Sequence, residues 1–163
     1  MSHFLVYWKT FSIDVADVKT FCEKTHKWQS DSEWLYQAVQ KGDTIWSVVR
    51  AQPPFSFRWG LIQQSFVSQP PKHNRNPPNQ GYKYLFECDQ DKSRRFNPAF
   101  QADIQGLLKK LTFENSNPIS LTGAKIGMAL QHPRKLSDPD VILLESFVST
   151  LKSLQPTDRF SPF

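Results

Sequence analysis

The chain has 163 residues, 39% of them hydrophobic and 13% aromatic against 21% charged, a balance that predicts a globular chain with a ring-rich core and excludes a disordered one. Twenty Lys and Arg outnumber fifteen Asp and Glu, giving a net charge of +5, and residues 71–163 hold thirteen of those cations against nine acids. No apolar run approaches the roughly 18 to 20 residues of a membrane span, the opening MSHFLVYWKTF lacks the features of a secretory signal, and Cys22 and Cys88 stand too isolated for a disulfide framework or a zinc set.

These bounds predict one cytoplasmic domain over 1–155 and a loose tail over 156–163, with both cysteines buried as apolar residues. Within it, HFLVYW at residues 3–8 reads as a strand. Ser12 or Asp14 then caps a helix in which Val15, Val18, Phe21 and Cys22 follow three- and four-residue spacing, ending near a solvated His26. Ser30 or Asp31 caps the next, with Trp34, Leu35, Ala38 and Val39 on one face and Lys41-Gly42 closing it.

TIWSVVRA from Thr44 predicts a strand with Ile45, Ser47 and Val49 on one face and Trp46, Val48 and Arg50 on the other. Pro53-Pro54 breaks the run, and RWGLIQQSFV resumes it with Trp59, Leu61 and Gln63 on a shared face, so the two strands should form a hairpin. Gly60 inside the second strand marks a bulge or a place where a ligand or a packed helix comes close to the backbone.

Residues 68–81, SQPPKHNRNPPNQG, carry Lys72, His73 and Arg75 and no acid. They predict a long exposed loop, either a phosphate-contacting arm or a solvated connector. A strand follows from Tyr82, then a polar turn in which Asp89 and Asp91 lack the further ligands of a calcium loop. Asp103 caps a short helix, TGAKIGMALQ adds a helical turn, and Ser137 caps the clearest helix, whose buried stripe is Val141, Leu144, Phe147, Val148 and Leu151.

The sequence contains no P-loop, GxGxxG, HExxH or GxSxG, and no carboxylate set spaced for a metal-dependent nuclease. It therefore reads as a binding module rather than an enzyme, with no cofactor and no metal. Four of the five tryptophans fall between Trp28 and Phe66 beside polar side chains, a concentration that suits either a pocket for a flat ligand or three rings of a core.

The order of these elements resembles the PUA-like superfamily, particularly its EVE and YTH branches: a strand with Trp8, a helix, the Trp28 stretch, a helix ending in Gly42-Asp43, the pair TIWSVV and RWGLIQQSFV, and the late LQHPRKLSDPDVILLESF. The resemblance covers most of residues 3–154 and is one of pattern and order; the Gly-Val-Arg-Asn segment usual near the tryptophan of EVE domains is absent. It implies a mixed α/β (α+β) fold with a curled, mostly antiparallel, β-barrel-like sheet flanked by helices. It further implies a nucleic-acid-binding module that reads a modified base in DNA or RNA, as the recognition part of a modification-dependent restriction or RNA-processing system with a separate nuclease or effector subunit. Trp28, Gln29 and Ser30 resemble the tryptophan-bearing pocket segment of YTH domains, and Trp46, Ser47, Trp59 and Gly60 lie in the strand pair that would flank it.

Such a pocket makes physical sense, since aromatic faces offset the unstacking of a base at about 1 to 3 kcal/mol each while polar groups choose among edges. Arg58, Lys72, His73, Arg75, Arg94, Arg95, Arg134 and Lys135 are the expected phosphate contacts. The competing expectation is a protein-interaction or adaptor domain that uses the same rings as interface anchors.

Overall fold

A computed structural model describes residues 1–9, 18–51, 58–75, 82–98, 101–119 and 123–158. Among them the strands are β1 His3–Tyr7, β2 Lys27–Ser30, β3 Thr44–Arg50, β4 Trp59–Phe66, β5 Lys72–His73, β6 Tyr84–Glu87, β7 Arg94–Arg95 and β8 Arg134–Lys135. The helices are α1 Val18–Glu23, α2 Glu33–Ala38, α3 Gln105–Leu108, α4 Gly123–Ala129 and α5 Asp138–Val148. None of these helices is long and apolar enough to cross a membrane. The expected caps at Ser12 or Asp14, the Pro53-Pro54 break, the loop segment 76–81 and the last tail residues 159–163 lie outside the described residues.

Five strands form one sheet in the order β7-β4-β3-β1-β8, and three form another in the order β2-β6-β5. β3 and β4 make the expected antiparallel pair, and β1 runs parallel to β3, with Leu5 opposite Trp46 and Val6 opposite Ser47. The other pairings among the described residues are antiparallel. The fold is thus mixed α/β and mostly antiparallel. Hydrogen bonding among the described residues leaves the five-stranded sheet open, with β7 and β8 outermost, and joins the smaller sheet to the end of β4 through an isolated Val67–Cys88 bridge.

Both faces of the large sheet are covered. On one, Leu5, Trp46, Val48, Trp59 and Leu61 pack with Leu108 of α3, Ile126 of α4, and Leu144 and Val148 of α5. On the other, Phe4, Val6 and Ile45 meet Leu35 of α2 and Phe86 of the small sheet, while Val49 and Ile62 meet Val18 and Phe21 of α1. Sandwiching explains why β3 is buried along nearly its whole length instead of alternating.

Two caps fix the path. Gly42 adopts φ 95°, open to glycine without strain, and its N–H donates to Val67 O at 2.8 Å, while the Asp43 carboxylate accepts from Ser2 N and Gln40 N, both at 2.8 Å. At α5, Ser137 and Asp140 form a reciprocal capping box, with Leu144 and Val148 buried as the spacing predicts. Elsewhere the bounds shift. α2 is capped by Ser32 rather than Ser30 or Asp31, and the expected loop from 68 includes β5, which pairs with β6. Cys88 is buried, its thiol pushed up to about 12 by burial, whereas Cys22 is only half-buried.

His26 departs most from expectation. It is buried rather than solvated, because its carbonyl accepts from Cys88 N and its N–H donates to the Gln90 side chain, fastening it between α1 and the turn after β6. Burial first, and the Arg95 charge second, lower its pKa from 6.5 to about 4. The folded state therefore binds fewer protons than the unfolded one between these values, so stability present above pH 6.5 is lost as pH falls toward 4. Urea denaturation at pH 7 and 4.5 should show the parent losing about 2 kcal/mol more than His26→Gln; equal losses would refute this.

Candidate functional site

A cleft of about 810 Å³ opens where the end of β1, the start of β2 and the entry to α2 converge over the large sheet. Its walls are aromatic. Trp8 and Trp28 meet edge to face at 6.1 Å and 89°, forming a right-angled corner, and Trp8 is braced from behind by Phe21 at 5.8 Å. Trp34 lines the cleft from the first turn of α2, braced by Phe4 at 5.9 Å and 69°, and remains 39% exposed. The local sequence makes this arrangement. β2 pairs with β6 on one side only, Trp28 opposite Phe86 and Ser30 opposite Tyr84, so its other edge is left facing the cleft, and Ser32 starts α2 just after it.

The floor comes from the sheet. A bulge in β4 lets Ile62 fall between the Val48–Leu61 and Ser47–Gln63 pairs, reversing the alternation. Leu61 stays with the Trp59 face, but Gln63 turns to the opposite side and lines the cleft, against the expectation that the two share a face. Next to it, Arg95 of β7 directs its terminal nitrogens to Cys22 O at 3.1 Å and Lys24 O at 2.9 Å and lies 4.6 Å over the Phe21 ring. It is a fixed positive charge holding the end of α1.

Hydrogen bonding separates structural polar groups from available ones. Ser30 Oγ accepts from Ser32 N, Gln29 Oε1 accepts from Asn74 Nδ2 at 3.4 Å, and Asp31 accepts from Lys83 N, so these groups chiefly shape the rim. Trp28 Nε1 is buried and has no partner among the described residues. Trp46 makes the contrast, its Nε1 donating to His3 Nδ1 at 3.1 Å in the core.

No protein-family model matches the chain, and comparison with curated proteins finds no relative.

Of the expected pocket residues, the structure brings Trp28, Gln29 and Ser30 to the cleft. Trp46 and Trp59 are instead fully buried in the core under α3, α4 and α5, because the sheet is covered on that face too. Ser47 and Gly60 are also buried; neither lines the cleft, and Gly60 lies opposite Val49. Trp8, Trp34 and Gln63 were missed. The available signals were Trp8 at the strand's end next to Lys9, and Trp34 in the first turn of a helix that starts five residues after Trp28.

The expected phosphate contacts are mostly engaged within the fold. Arg58 donates to Gln101 O, Arg94 to Gln64 Oε1, and Arg134 to Ala129 O, Ser116 Oγ and Asn117 O, with Arg95 committed as above. Lys135 pairs with Glu114 at 3.0 Å and His73 packs on Tyr36 and Tyr84. Lys72 pairs with Glu87 at 3.1 Å but is exposed, a pairing weak enough to yield to a phosphate. Arg75 is exposed. Besides the committed Arg95, the cations lining the cleft are Lys9, Lys24 and Lys27, all exposed, with the acids Asp31 and Glu33 also on its lining. No His, Cys, Asp or Glu cluster suited to a metal occurs among the described residues.

Proposed function

We propose that the protein is a nucleic-acid-binding module of the PUA-like kind, related in design to the EVE and YTH readers, that receives one modified base in the Trp8–Trp28–Trp34 cleft. The observation that carries this reading is the corner of two perpendicular rings, Trp8 and Trp28, lining the cleft beside the partly exposed Trp34. The rings supply faces for stacking, and Lys9, Lys24 and Lys27 supply sequence-blind attraction for the flanking phosphates.

The test is titration of marked and unmarked DNA and RNA oligonucleotides at two salt concentrations. Trp34→Ala, at a partly exposed ring, is expected to weaken binding of the marked strand about tenfold or more by removing a stacking face. Replacing Lys9, Lys24 and Lys27 by alanine should weaken all sequences alike and flatten the log–log salt dependence by about one unit per lost contact. A parent protein that binds no oligonucleotide at low salt would overturn the proposal, and an interaction domain for another protein would take its place.

A further inference from the structure

We propose that the cleft also takes an extended acidic peptide, which adds to the outer edge of β2 as a further strand of the small sheet. This goes beyond the base-binding reading and does not depend on it.

The hydrogen-bond register decides which backbone groups of β2 are engaged. In an antiparallel pair, opposed residues alternate between those that exchange hydrogen bonds and those whose N–H and C=O turn away. Cys88 N donates to His26 O at 3.1 Å, and the β2–β6 register continues from that pair with Lys27 opposite Glu87 and Trp28 opposite Phe86. Trp28 and Ser30 therefore bond to β6, while Lys27 and Gln29 turn their backbone groups outward. The far side of β6 agrees in phase, since Glu87 O accepts from Ser68 N at 2.9 Å and Lys83 O accepts from Asn74 N at 2.8 Å. Among the described residues nothing bonds to the outward groups of Lys27 and Gln29, and both residues line the cleft.

The large sheet treats its edges differently. On β8, Lys135 O accepts from Glu114 N at 2.9 Å and Lys135 N donates to Asn115 Oδ1 at 2.8 Å; on β7, Arg95 O accepts from Leu154 N at 2.9 Å. Both outermost strands are thus covered by other parts of the chain, which blunts an edge against further pairing. β2 has no such cover among the described residues, no proline and no bulge.

The edge lies beside the Trp8–Trp28 corner and Trp34. A strand added antiparallel would exchange hydrogen bonds with Lys27 and Gln29. Its residue between those two pairs would face Trp28 in a pair without hydrogen bonds, the kind in which side chains come closest, so an apolar side chain suits that position. Charge selects the residues on either side. The cations Lys9, Lys24, Lys27 and Arg95 line the cleft against the acids Asp31 and Glu33, and Lys27 on the edge itself disfavours pairing with a second copy of β2 while favouring a carboxylate opposite.

The probe is a blocked, fluorescein-labelled seven-residue peptide of alternating glutamate and valine with phenylalanine at its centre, compared by fluorescence anisotropy with a counterpart in which lysine replaces every glutamate. At low salt the parent is expected to bind the glutamate peptide about tenfold or more tightly than the lysine peptide. Methylating the backbone nitrogen of either glutamate next to the phenylalanine should weaken binding about fivefold or more, and methylating the phenylalanine nitrogen less than about twofold, because only alternate residues of an added strand donate to its neighbour. The double variant Lys24→Glu, Lys27→Glu changes two exposed side chains and should lose the preference for glutamate. No binding of the glutamate peptide, equal binding of the two peptides, or equal loss at all three nitrogens would overturn the proposal. So would a bound oligonucleotide that the peptide fails to displace, since both are assigned to one cleft. A peptide that binds where no oligonucleotide does would support this inference and end the base-binding reading; an oligonucleotide that binds where no peptide does would end this inference alone.

Discussion

Alanine at Trp46 or at Trp59 is expected to abolish cooperative folding, whereas alanine at Trp34 should leave it nearly intact. Trp46 and Trp59 are the largest fully buried side chains among the described residues, each fixed by more than apolar contact: Trp46 donates its indole N–H to His3, and Trp59 meets Tyr7 edge to face at 5.0 Å. Removing so large a ring from a close-packed core costs about 3 to 5 kcal/mol, a substantial part of the roughly 5 to 15 kcal/mol that holds an ordinary domain together. Urea denaturation followed by circular dichroism measures both outcomes. A midpoint unchanged in Trp46→Ala or Trp59→Ala would show that the ring is not part of the core.

The second large effect is expected at Asp140. Its carboxylate, fully buried at the start of α5, accepts from Thr112 N at 2.7 Å, Phe113 N at 2.9 Å and Ser137 N at 3.0 Å, and from the Thr112 hydroxyl at 3.2 Å. One of those donors belongs to Phe113, which stands at φ 47°, where a residue with a Cβ needs outside support. Burial alone would raise the carboxyl's pKa, but the donors from Thr112, Ser137 and Phe113 outweigh it and hold it below the ordinary 3.8. Its contribution is therefore fully present above that value and is lost as pH falls through the folded-state pKa. Asp140→Ala is expected to cost about 3 kcal/mol or more by stripping several amides of a charged acceptor at once. Asp140→Asn should be nearly as damaging, because its NH₂ would face donors. Hydrogen exchange at the Phe113 amide, rising in both variants, would locate the damage; protection equal to the parent's would refute it.

How much of this was legible in the sequence depends on whether a signal is local. The α5 cap, its buried stripe and the Gly42-Asp43 turn are written in neighbouring residues and were readable. So was the antiparallel pairing of β3 with β4. Trp28, Trp46 and Trp59 look alike in sequence, yet only Trp28 reaches the cleft, because which rings become core depends on helices α3 to α5, contributed by residues beyond 100, covering that face. The turning of Gln63 depends on one extra residue in β4, which strict alternation cannot show. The basic residues were visible, but whether a guanidinium meets a phosphate or a backbone carbonyl is settled by tertiary partners such as Cys22 and Lys24 for Arg95.

The position of β1 also has a consequence for how the chain is made. β1 lies between β3 and β8, so one of its edges is covered by Thr44–Arg50 and the other only by Arg134 and Lys135, through Leu5 and Phe4. On a ribosome the first partner emerges after some forty more residues, and the second only after about ninety beyond that. Throughout that interval a nascent chain with an otherwise assembled β3–β4 pair presents an apolar strand, HFLVY, with open backbone groups on one side, a template for pairing with another copy. The late closing segment is thus a guard against aggregation during synthesis as well as a part of the finished sheet, and its loss would be felt as low yield before it was felt as low stability.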